Sequence, residues 1–399
     1  NMRKIAAQYL FPGNSSPIKR GFVTLDDDGT ILETGELDKE SESTEFYNGI
    51  IIPGFVNSHC HIELSHLKGV FTQESGMAGF IKQIRVQRES APKEERERAI
   101  EEQMDKMYKE GVSAMADISN SDESFVIKAS SPLYTRTFLE VFGSEPHDMP
   151  KIMNQLKELK ATADNIGIDS CPSPHACYTM SKDLLSESTA AGLDCGFISY
   201  HNQESWEEDQ LIREGKGPLS EDYKSRGLST PAINKSGPLQ YFIDSIRLNK
   251  RYSKEIIPGN TLLVHNTFTD EQSINIALES LQNPYWAICP LSNIFIHRSL
   301  PPLELLRRKG AKITIGTDSL SSNTLLSMVA EMQSIQQYFP TVPLTEIVKW
   351  ATLNGASFLG KERELGTIEA GKKPGIVLIE NIDLQNLKLL PGSISRRLA

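Results

Sequence analysis

One stretch decides the fold of this chain: Ile51-Ile52-Pro53-Gly54-Phe55-Val56-Asn57-Ser58-His59-Cys60-His61. Its apolar part predicts a buried strand, and the stretch ends on two histidines, His59 and His61. Because side chains alternate along a strand, both imidazoles point to the same face. Two imidazoles on one face can share a metal ion, so the stretch predicts a metal site at a strand end.

Three more apolar runs end on polar side chains in the same way. His201, with Glu204 three residues later, follows the run 197–200, His265 follows 262–264, and Asp318 follows 313–316. Metal-competent side chains at the C-terminal ends of separate strands are typical of a (β/α)8 barrel active site. Four of the eight histidines fall in this set, which core packing does not explain.

Length and composition indicate a globular chain larger than a bare barrel. Its 399 residues exceed the roughly 250 of a (β/α)8 barrel, so the surplus predicts a second small domain. A net charge of −10 without a long basic run argues against nucleic-acid binding. No apolar stretch approaches a membrane span, and the N-terminus does not resemble a secretory signal. Five cysteines without a CxxC pair favour free thiols and a cytoplasmic location.

Strand-like and helix-like runs alternate through the middle of the chain, which predicts parallel βα units. We expect an α/β protein with a (β/α)8 TIM barrel over residues 54–361. Residues 1–53 and 362–399 are expected to form a small composite β-sandwich domain, and the long segment 205–260 should roof the pocket. The eight strand candidates lie near 51–58, 112–117, 135–141, 166–171, 194–200, 261–265, 286–289 and 312–317.

The polar strand ends predict a three-histidine, one-carboxylate metal site formed by His59, His61, His201 and Asp318. Such ligands suit Zn²⁺ or Fe²⁺. Glu204 could carry a proton from an activated water to a leaving amine, or it could be a solvated acid in an acidic run. His265 could be a further ligand or could hold the attacking water, and Asp318 could also accept that water's proton. No lysine stands at the 166–177 strand end to bridge a second metal, so one ion is expected.

Several motifs resemble those of the amidohydrolase superfamily, specifically its deaminase and chlorohydrolase (ATZ/TRZ-like) branch. Residues 53–61 look like its first-strand signature. His201-Asn202-Gln203-Glu204 is similar to the His-x-x-Glu pattern of its deaminases, and Gly316-Thr317-Asp318-Ser319 to its eighth-strand motif. Further similar motifs lie at 67–69, 173–181, 289–293, 351–356 and 365–372, so the resemblance covers nearly the whole chain.

This resemblance implies a barrel with a composite β-sandwich and one divalent metal ion. The ion, Zn²⁺ ahead of Fe²⁺, would bind His59, His61, His201 and Asp318. Glu204 would be the proton shuttle, and His265 would orient the water and polarise the substrate. His175 is similar to a substrate-contacting histidine, or it is structural. The resemblance also implies a homodimer that acts on a small molecule.

The residues that follow the first motif, Ile62-Glu63-Leu64-Ser65, resemble the aminodeoxyfutalosine deaminases. That resemblance implies that Glu63 reaches the substrate, which strand alternation permits only if the strand continues past His61. We therefore expect a hydrolytic deaminase that releases ammonia from an amino-substituted purine-like nucleoside or heterocycle.

Two other functions stay open: a chlorohydrolase or other amidohydrolase that removes a different leaving group, and a catalytically inactive barrel that serves as a binding protein. Four side chains could either contact the substrate or lie on the surface: Arg136, Trp206, Arg213 and Arg226.

Overall fold

The computed structural model describes residues 2–38 and 43–399. Its strands in these ranges are β1 (Arg3–Leu10), β2 (Ile18–Lys19), β3 (Gly21–Leu25), β4 (Ile31–Glu36), β5 (Thr44–Pro53), β6 (Phe55–Cys60), β7 (Val112–Ser119), β8 (Tyr134–Val141), β9 (Asp169–Pro174), β10 (Phe197–Asn202), β11 (Ile257–His265), β12 (Leu281–Ile288), β13 (Ile313–Ile315), β14 (Ile376–Asp383) and β15 (Lys388–Arg397).

The helices in the same ranges are α1 (Gly76–Gln87), α2 (Lys93–Lys109), α3 (Phe125–Ser130), α4 (Met149–Ile166), α5 (Lys182–Cys195), α6 (Trp206–Glu214), α7 (Pro218–Ser225), α8 (Pro238–Arg247), α9 (Glu271–Ser280), α10 (Pro290–His297), α11 (Leu303–Arg308), α12 (Met328–Tyr338), α13 (Leu344–Ala351) and α14 (Leu353–Phe358). Short 3-10 turns lie at Ile62–Leu67, Pro146–Asp148, Cys177–Thr179 and Lys250–Tyr252.

Eight parallel strands carry the middle of the chain, in two sheets with the orders β6-β7-β8-β9 and β10-β11-β12-β13. Each neighbouring pair is parallel, with helices between successive strands. Backbone hydrogen bonds link chain segments at the ends of the two sheets. The backbone N–H of His201 donates to the carbonyl oxygen of His175 (3.0 Å), and that of Thr317 donates to the carbonyl oxygen of His59 (3.1 Å).

Successive residues of these strands pack into two different apolar clusters, as a period of two requires. On β7, Ala114 and Ala116 pack in one cluster and Met115 in the other. On β8, Phe138 and Leu139 divide in the same way. Parallel strands covered on both faces therefore have nearly continuous apolar sequences. For this reason the apolar runs in the sequence predicted their positions.

The first predicted strand, 51–58, was wrong as a single element, because β5 ends at Pro53 and β6 begins at Phe55. Gly54 separates them at a point of very close backbone approach. A Cβ atom at Gly54 would lie 1.9 Å from Ser113 Oγ and 2.3 Å from the carbonyl oxygen of Pro374. Only glycine fits there, so the chain passes from one sheet to the next at this residue.

The strands from both ends of the chain form one connected seven-stranded sheet. Its order is β15-β14-β5-β1-β3-β4, with β2 paired to β1. Ile5, Val23, Ile51 and Ile376 are fully or almost fully buried in one cluster on this sheet. The predicted sandwich of two layers stays a prediction. Within its range 1–53, residues 1 and 39–42 lie outside the described residues.

The helices that follow the parallel strands bring chain segments over one end of them. The helix α1 ends at Gln87 and α2 begins at Lys93, directly after Pro92, which has no backbone N–H to donate within a helix. Within the segment 205–260, α6, α7 and α8 follow one another, and Tyr223 and Arg226 line a cavity. Among the described residues, no helix combines the length and apolar character needed to cross a membrane.

Candidate active site

His59 and His61 bring their ring nitrogens to one point at the end of β6. The Nε2 atoms of the two imidazoles are 3.2 Å apart, and Asp318 Oδ1 lies 3.5 Å from His59 Nε2 and 3.6 Å from His61 Nε2. Burial lowers the pKa of both histidines, that of His61 well below its ordinary value. Neutral imidazoles that face each other beside a carboxylate are the donor set a divalent ion requires.

Asp318 is fixed in place by the strand seam and by hydroxyl and amide donors. Its backbone N–H donates to the carbonyl oxygen of His59 (2.9 Å). Ser292 Oγ donates to its Oδ2 (2.7 Å), and the N–H of Ser319 donates to its Oδ1 (2.9 Å). Burial alone would raise the pKa of Asp318. The hydrogen bond with His59 and nearby imidazoles outweigh that effect and hold the pKa well below its ordinary value.

His201, at the end of β10, adds a third imidazole to this group. Its Nδ1 donates to the carbonyl oxygen of His175 (3.1 Å), so its Nε2 carries the lone pair. Ligand atoms of His59, His201 and His265 lie within 4.8 Å of one another, as do those of His59, His61 and Asp318. Burial and the neighbouring imidazoles hold the pKa of His201 well below its ordinary value. The structure thus brings together all four predicted ligands.

Glu204 and His265 form the opposite side of the same cluster. His265 Nε2 lies 3.4 Å from Glu204 Oε1 and 3.6 Å from Asp318 Oδ2. Burial raises the pKa of Glu204 to about 7, although His265 lowers it. Tyr178 donates its hydroxyl to Glu204 Oε2 (3.4 Å). Glu204 is therefore a buried acid that can exchange a proton near neutral pH, and it does not lie on a solvated surface.

Two of these residues have backbone conformations that non-glycine residues seldom adopt. His265 has φ = +81° and Asp318 has φ = +57°. Such conformations cost about 1–3 kcal/mol each and persist where the surrounding structure enforces them, commonly at functional sites.

A cavity of about 800 Å³ opens from this cluster. Its wall includes His61, His201, His265, Glu204 and Asp318 together with apolar side chains from α1, such as Phe80 and Ile84. His175 also lines it, and its ring centroid lies 4.6 Å from that of His201. The volume far exceeds what a single purine base needs, so the cavity can accept a larger ligand.

Glu63 lies apart from the cavity wall in the described structure. The strand β6 ends at Cys60, and Glu63 falls in the 3-10 turn that follows, so alternation does not carry it to the ligand face. Its buried carboxylate accepts from Arg88 (2.7 Å), from the N–H of Asn120 (2.7 Å) and from two serine hydroxyls. Arg88 lines the cavity in its place. Direct substrate contact by Glu63 stays a prediction that this geometry does not favour.

Sequence reasoning missed several polar cavity residues, among them Arg88, Asn120 and Glu140. Burial raises the pKa of Glu140 to about 8, and its Oε2 lies 3.6 Å from His201 Nδ1. Glu140 stands near the end of β8, so the strand-end pattern that identified His201 could have found it. Arg88 follows α1, and nothing in its local sequence indicates a role.

The four side chains left open by the sequence are now placed. Within the described part of the chain, Arg226 lines the cavity and the other three do not. Arg136 lies over the Phe197 ring at 4.0 Å. Trp206 is 48% exposed, and Arg213 forms ion pairs with Asp209 and Asp270.

Comparison with known proteins agrees with this geometry. The chain is 28% identical over 340 residues to an adenosine deaminase of Helicobacter pylori, covering 82% of this chain and 78% of that protein. It is 26% identical over 351 residues to an aminodeoxyfutalosine deaminase of Nitratiruptor sp., covering 84% and 79%.

A solved structure and a family model extend the comparison. A Helicobacter pylori aminofutalosine deaminase in complex with methylthio-coformycin matches with a TM-score of 0.78 at 25% identity, covering 96% of this chain and 93% of that one. That likeness indicates a TIM-barrel-type α/β fold. The amidohydrolase family model matches residues 50–391. The resemblance inferred from the sequence motifs is confirmed, and the chain belongs to the amidohydrolase family.

Proposed function

We propose that this protein is a metal-dependent hydrolytic deaminase of an amino-substituted purine-like nucleoside. The observation that carries the proposal is the position of Glu204 Oε1, 3.4 Å from His265 Nε2, beside the cluster of His59, His61, His201 and Asp318. A leaving amine needs a nearby acid whose pKa is close to neutral, because ammonia leaves only after protonation. The deaminase relatives support the same class of hydrolysis at a carbon–nitrogen bond.

His59, His61, His201 and Asp318 would hold one divalent ion, for which we propose Zn²⁺ ahead of Fe²⁺. Three imidazoles and one carboxylate suit both ions. Such an ion would act as a Lewis acid that lowers the pKa of a bound water molecule.

The protein's own residues then direct water and proton. His265 Nε2 and Asp318 Oδ2, 3.6 Å apart, would orient the attacking water toward the amine-bearing carbon. Glu204 would receive a first proton from the attacking water and deliver it to the ring nitrogen. It would then carry a second proton from the newly added hydroxyl group to the departing amine. Tyr178, which donates to Glu204 Oε2, would keep the carboxyl group facing the cluster. The net change replaces an amino group with oxygen from water and releases ammonia.

For the substrate itself we propose aminodeoxyfutalosine. The cavity of about 800 Å³ has room for a nucleoside with a long substituent. Its apolar α1 side, with Phe80 and Ile84, suits an aromatic group, and Arg88 on its wall suits an anionic one. His175, on the same wall, is proposed as a substrate contact. The aminodeoxyfutalosine deaminase relative supports this assignment.

We also propose that the two parallel sheets close into one barrel over residues 54–361, because β9 contacts β10 and β13 contacts β6. Residues 1–53 and 362–399 would form the second domain. A homodimer and a cytoplasmic location stay predictions from the sequence.

The experiment that tests the function compares two leaving groups on one ring. The metal-loaded protein is given a 6-amino and a 6-chloro purine nucleoside, and ammonia and chloride are measured. Ammonia release from the amino compound is expected. Chloride release without any ammonia would instead favour the chlorohydrolase alternative, and no product from either compound with metal bound would favour an inactive binding protein.

A further inference from the structure

Two cysteines lie together on β9 and α5, outside the cavity and its metal cluster. Cys171 lies in β9, four residues before His175, and Cys195 is the last residue of α5. Cys195 packs against the apolar cluster that contains Cys171. Neither lines the cavity in the described structure, and the deaminase chemistry uses neither.

A glycine allows this close approach. Gly192, three residues before Cys195, presents bare backbone to β9, and a Cβ atom there would lie 2.5 Å from the carbonyl oxygen of Pro172. The last turn of α5 can therefore lie directly on the β9 backbone. This brings Cys195 Sγ to 4.0 Å from the carbonyl oxygen of Ser170, the residue before Cys171.

The two thiols differ in their access to solvent. Cys195 is partly exposed, whereas Cys171 is buried, as are Cys60, Cys177 and Cys289. All five cysteines of the sequence lie within the described ranges. A small oxidant in solution therefore reaches Cys195 first, and Cys171 is the buried thiol next to it.

Two cations surround the pair. Lys160 Nζ donates to the Ser170 carbonyl oxygen (3.1 Å) that Cys195 Sγ also faces. Arg136 lies beside Cys171, and its buried Nε has no hydrogen-bond partner. The Cys171 thiol lowers the pKa of Cys195 to about 6 although burial raises it, and Lys160 and Arg136 act in the same direction as Cys171. A partly exposed thiol among cations is the setting in which cysteines react.

We propose that Cys195 and Cys171 are a peroxide-reactive thiol pair that closes to an intramolecular disulfide. In the first step the Cys195 thiolate attacks hydrogen peroxide. A sulfur–oxygen bond forms, the oxygen–oxygen bond breaks, and hydroxide leaves and takes up a proton to give water. In the second step Cys171 loses its proton and attacks the Cys195 sulfenic acid, a sulfur–sulfur bond forms, and water leaves. The two thiols are oxidised by two electrons, and one peroxide is reduced to two waters.

This arrangement gives Cys195 an alternative to irreversible oxidation. A sulfenic acid without a nearby thiol proceeds to sulfinic and sulfonic acids, whereas one beside a resolving thiol ends as a reducible disulfide. The bond would join β9 and α5, two elements that already pack together.

The test treats the full metal-loaded chain with hydrogen peroxide, alkylates the remaining thiols, and digests the protein without reductant. We expect one cross-linked peptide pair that contains Cys171 and Cys195, with the loss of two alkylatable thiols per chain and full reversal by dithiothreitol. Oxygen atoms added to Cys195 without a cross-link, or a cross-link between two chains, would overturn the proposal.

Substitutions at each cysteine assign the two roles. In Cys171→Ala the sulfenic acid at Cys195 should persist, be trapped by dimedone and proceed to the sulfinic acid. Cys195→Ser should abolish both products, and Cys289→Ala, a buried cysteine elsewhere, should keep the cross-link. Equal dimedone labelling of Cys171→Ala and the natural chain would show that Cys171 does not react with the Cys195 sulfenic acid. If Cys171→Ala fails to fold, the peptide map of the natural chain decides alone.

Discussion

The Nε2 atom of His265 lies 3.4 Å from the Oε1 atom of Glu204, and both side chains are buried. His265 Nδ1 donates to Asn293 Oδ1 (3.0 Å), so Nε2 faces the carboxyl group with its lone pair. Because burial raises the pKa of Glu204 to about 7, a proton can be held between the two groups near neutral pH. Asp318 lies next to both, at the place where water would attack the amine-bearing carbon and an amine would be protonated.

Replacing Glu204 tests the proton-shuttle role. Glu204→Gln keeps the size of the side chain and removes its acid, so kcat for ammonia release should fall by about 10²- to 10⁴-fold. Metal analysis should show unchanged metal content, because Glu204 is not among the four ligands. Glu214→Gln, at the exposed C-terminal end of α6, the helix that follows Glu204, is the matched control. Full turnover by Glu204→Gln with metal bound would remove Glu204 from the mechanism.

Metal content tests the four-ligand site. The purified protein should bind one divalent ion per chain, lose turnover on chelation, and regain it with one equivalent of Zn²⁺. Asp318→Asn should lose both the ion and activity, because it weakens a carboxylate ligand. Two ions per chain would contradict a single site and would direct attention to Glu140, His175 and His201, whose ligand atoms also lie within 4.8 Å of one another.

A double-mutant cycle distinguishes two roles for Glu63, direct contact with the substrate and support of Arg88. If Glu63 acts by holding Arg88, then Glu63→Gln and Arg88→Met should both lower kcat/KM, and the double variant should lose little more than Arg88→Met alone. The coupling free energy should be about 0.5–3 kcal/mol, as for residues in direct contact. If Glu63→Gln reduces kcat/KM by the same factor when Arg88 is already absent, Glu63 contacts the substrate itself.

Buried Glu331 predicts how stability depends on pH. It accepts from the N–H of Leu291 (3.1 Å) and from Asn323 Nδ2 (3.0 Å), and burial raises its pKa from 4.5 to about 8. A carboxyl group whose pKa is raised by folding stabilises the fold fully below about pH 4.5, and this contribution is lost as pH rises through about 8.

Relative to Glu331→Gln, the natural chain should therefore lose stability from about pH 4.5 to about pH 8. Within this window the loss would be up to about 1.4 kcal/mol per pH unit, and above about pH 8 it would level off. Thermal unfolding of both proteins across this range checks it, with exposed Glu279→Gln as control. A difference between natural chain and Glu331→Gln that stays constant with pH would show that Glu331 does not titrate there.

The parallel strands and the group of candidate metal ligands could be located from the sequence for a physical reason. Strands covered on both faces are continuous apolar runs, and the side chain that ends such a run lies at the open edge. His201 and Asp318 could be assigned in that way without knowing any contact between strands. The precise boundary at Gly54 could not, because it depends on Ser113 and Pro374, which are distant in sequence.

Residues whose roles depend on hydrogen bonds with distant segments were harder to predict from the sequence. Glu63 follows the first motif directly, yet its role depends on Arg88 and Asn120 from two other segments. A local pattern cannot show which donors satisfy a buried carboxylate. The same limit applies to Cys171 and Cys195, whose contact depends on the close approach of α5 at Gly192.

Ammonia release by the metal-loaded protein tests the central claim most directly. Aminodeoxyfutalosine, methylthioadenosine and adenosine are supplied in turn, and ammonia is measured against nucleoside consumed. We predict one ammonia per nucleoside, with the highest kcat/KM for aminodeoxyfutalosine. Ammonia with adenosine preferred would keep the deaminase and correct the substrate, and no ammonia from any nucleoside with one metal ion bound would contradict the account.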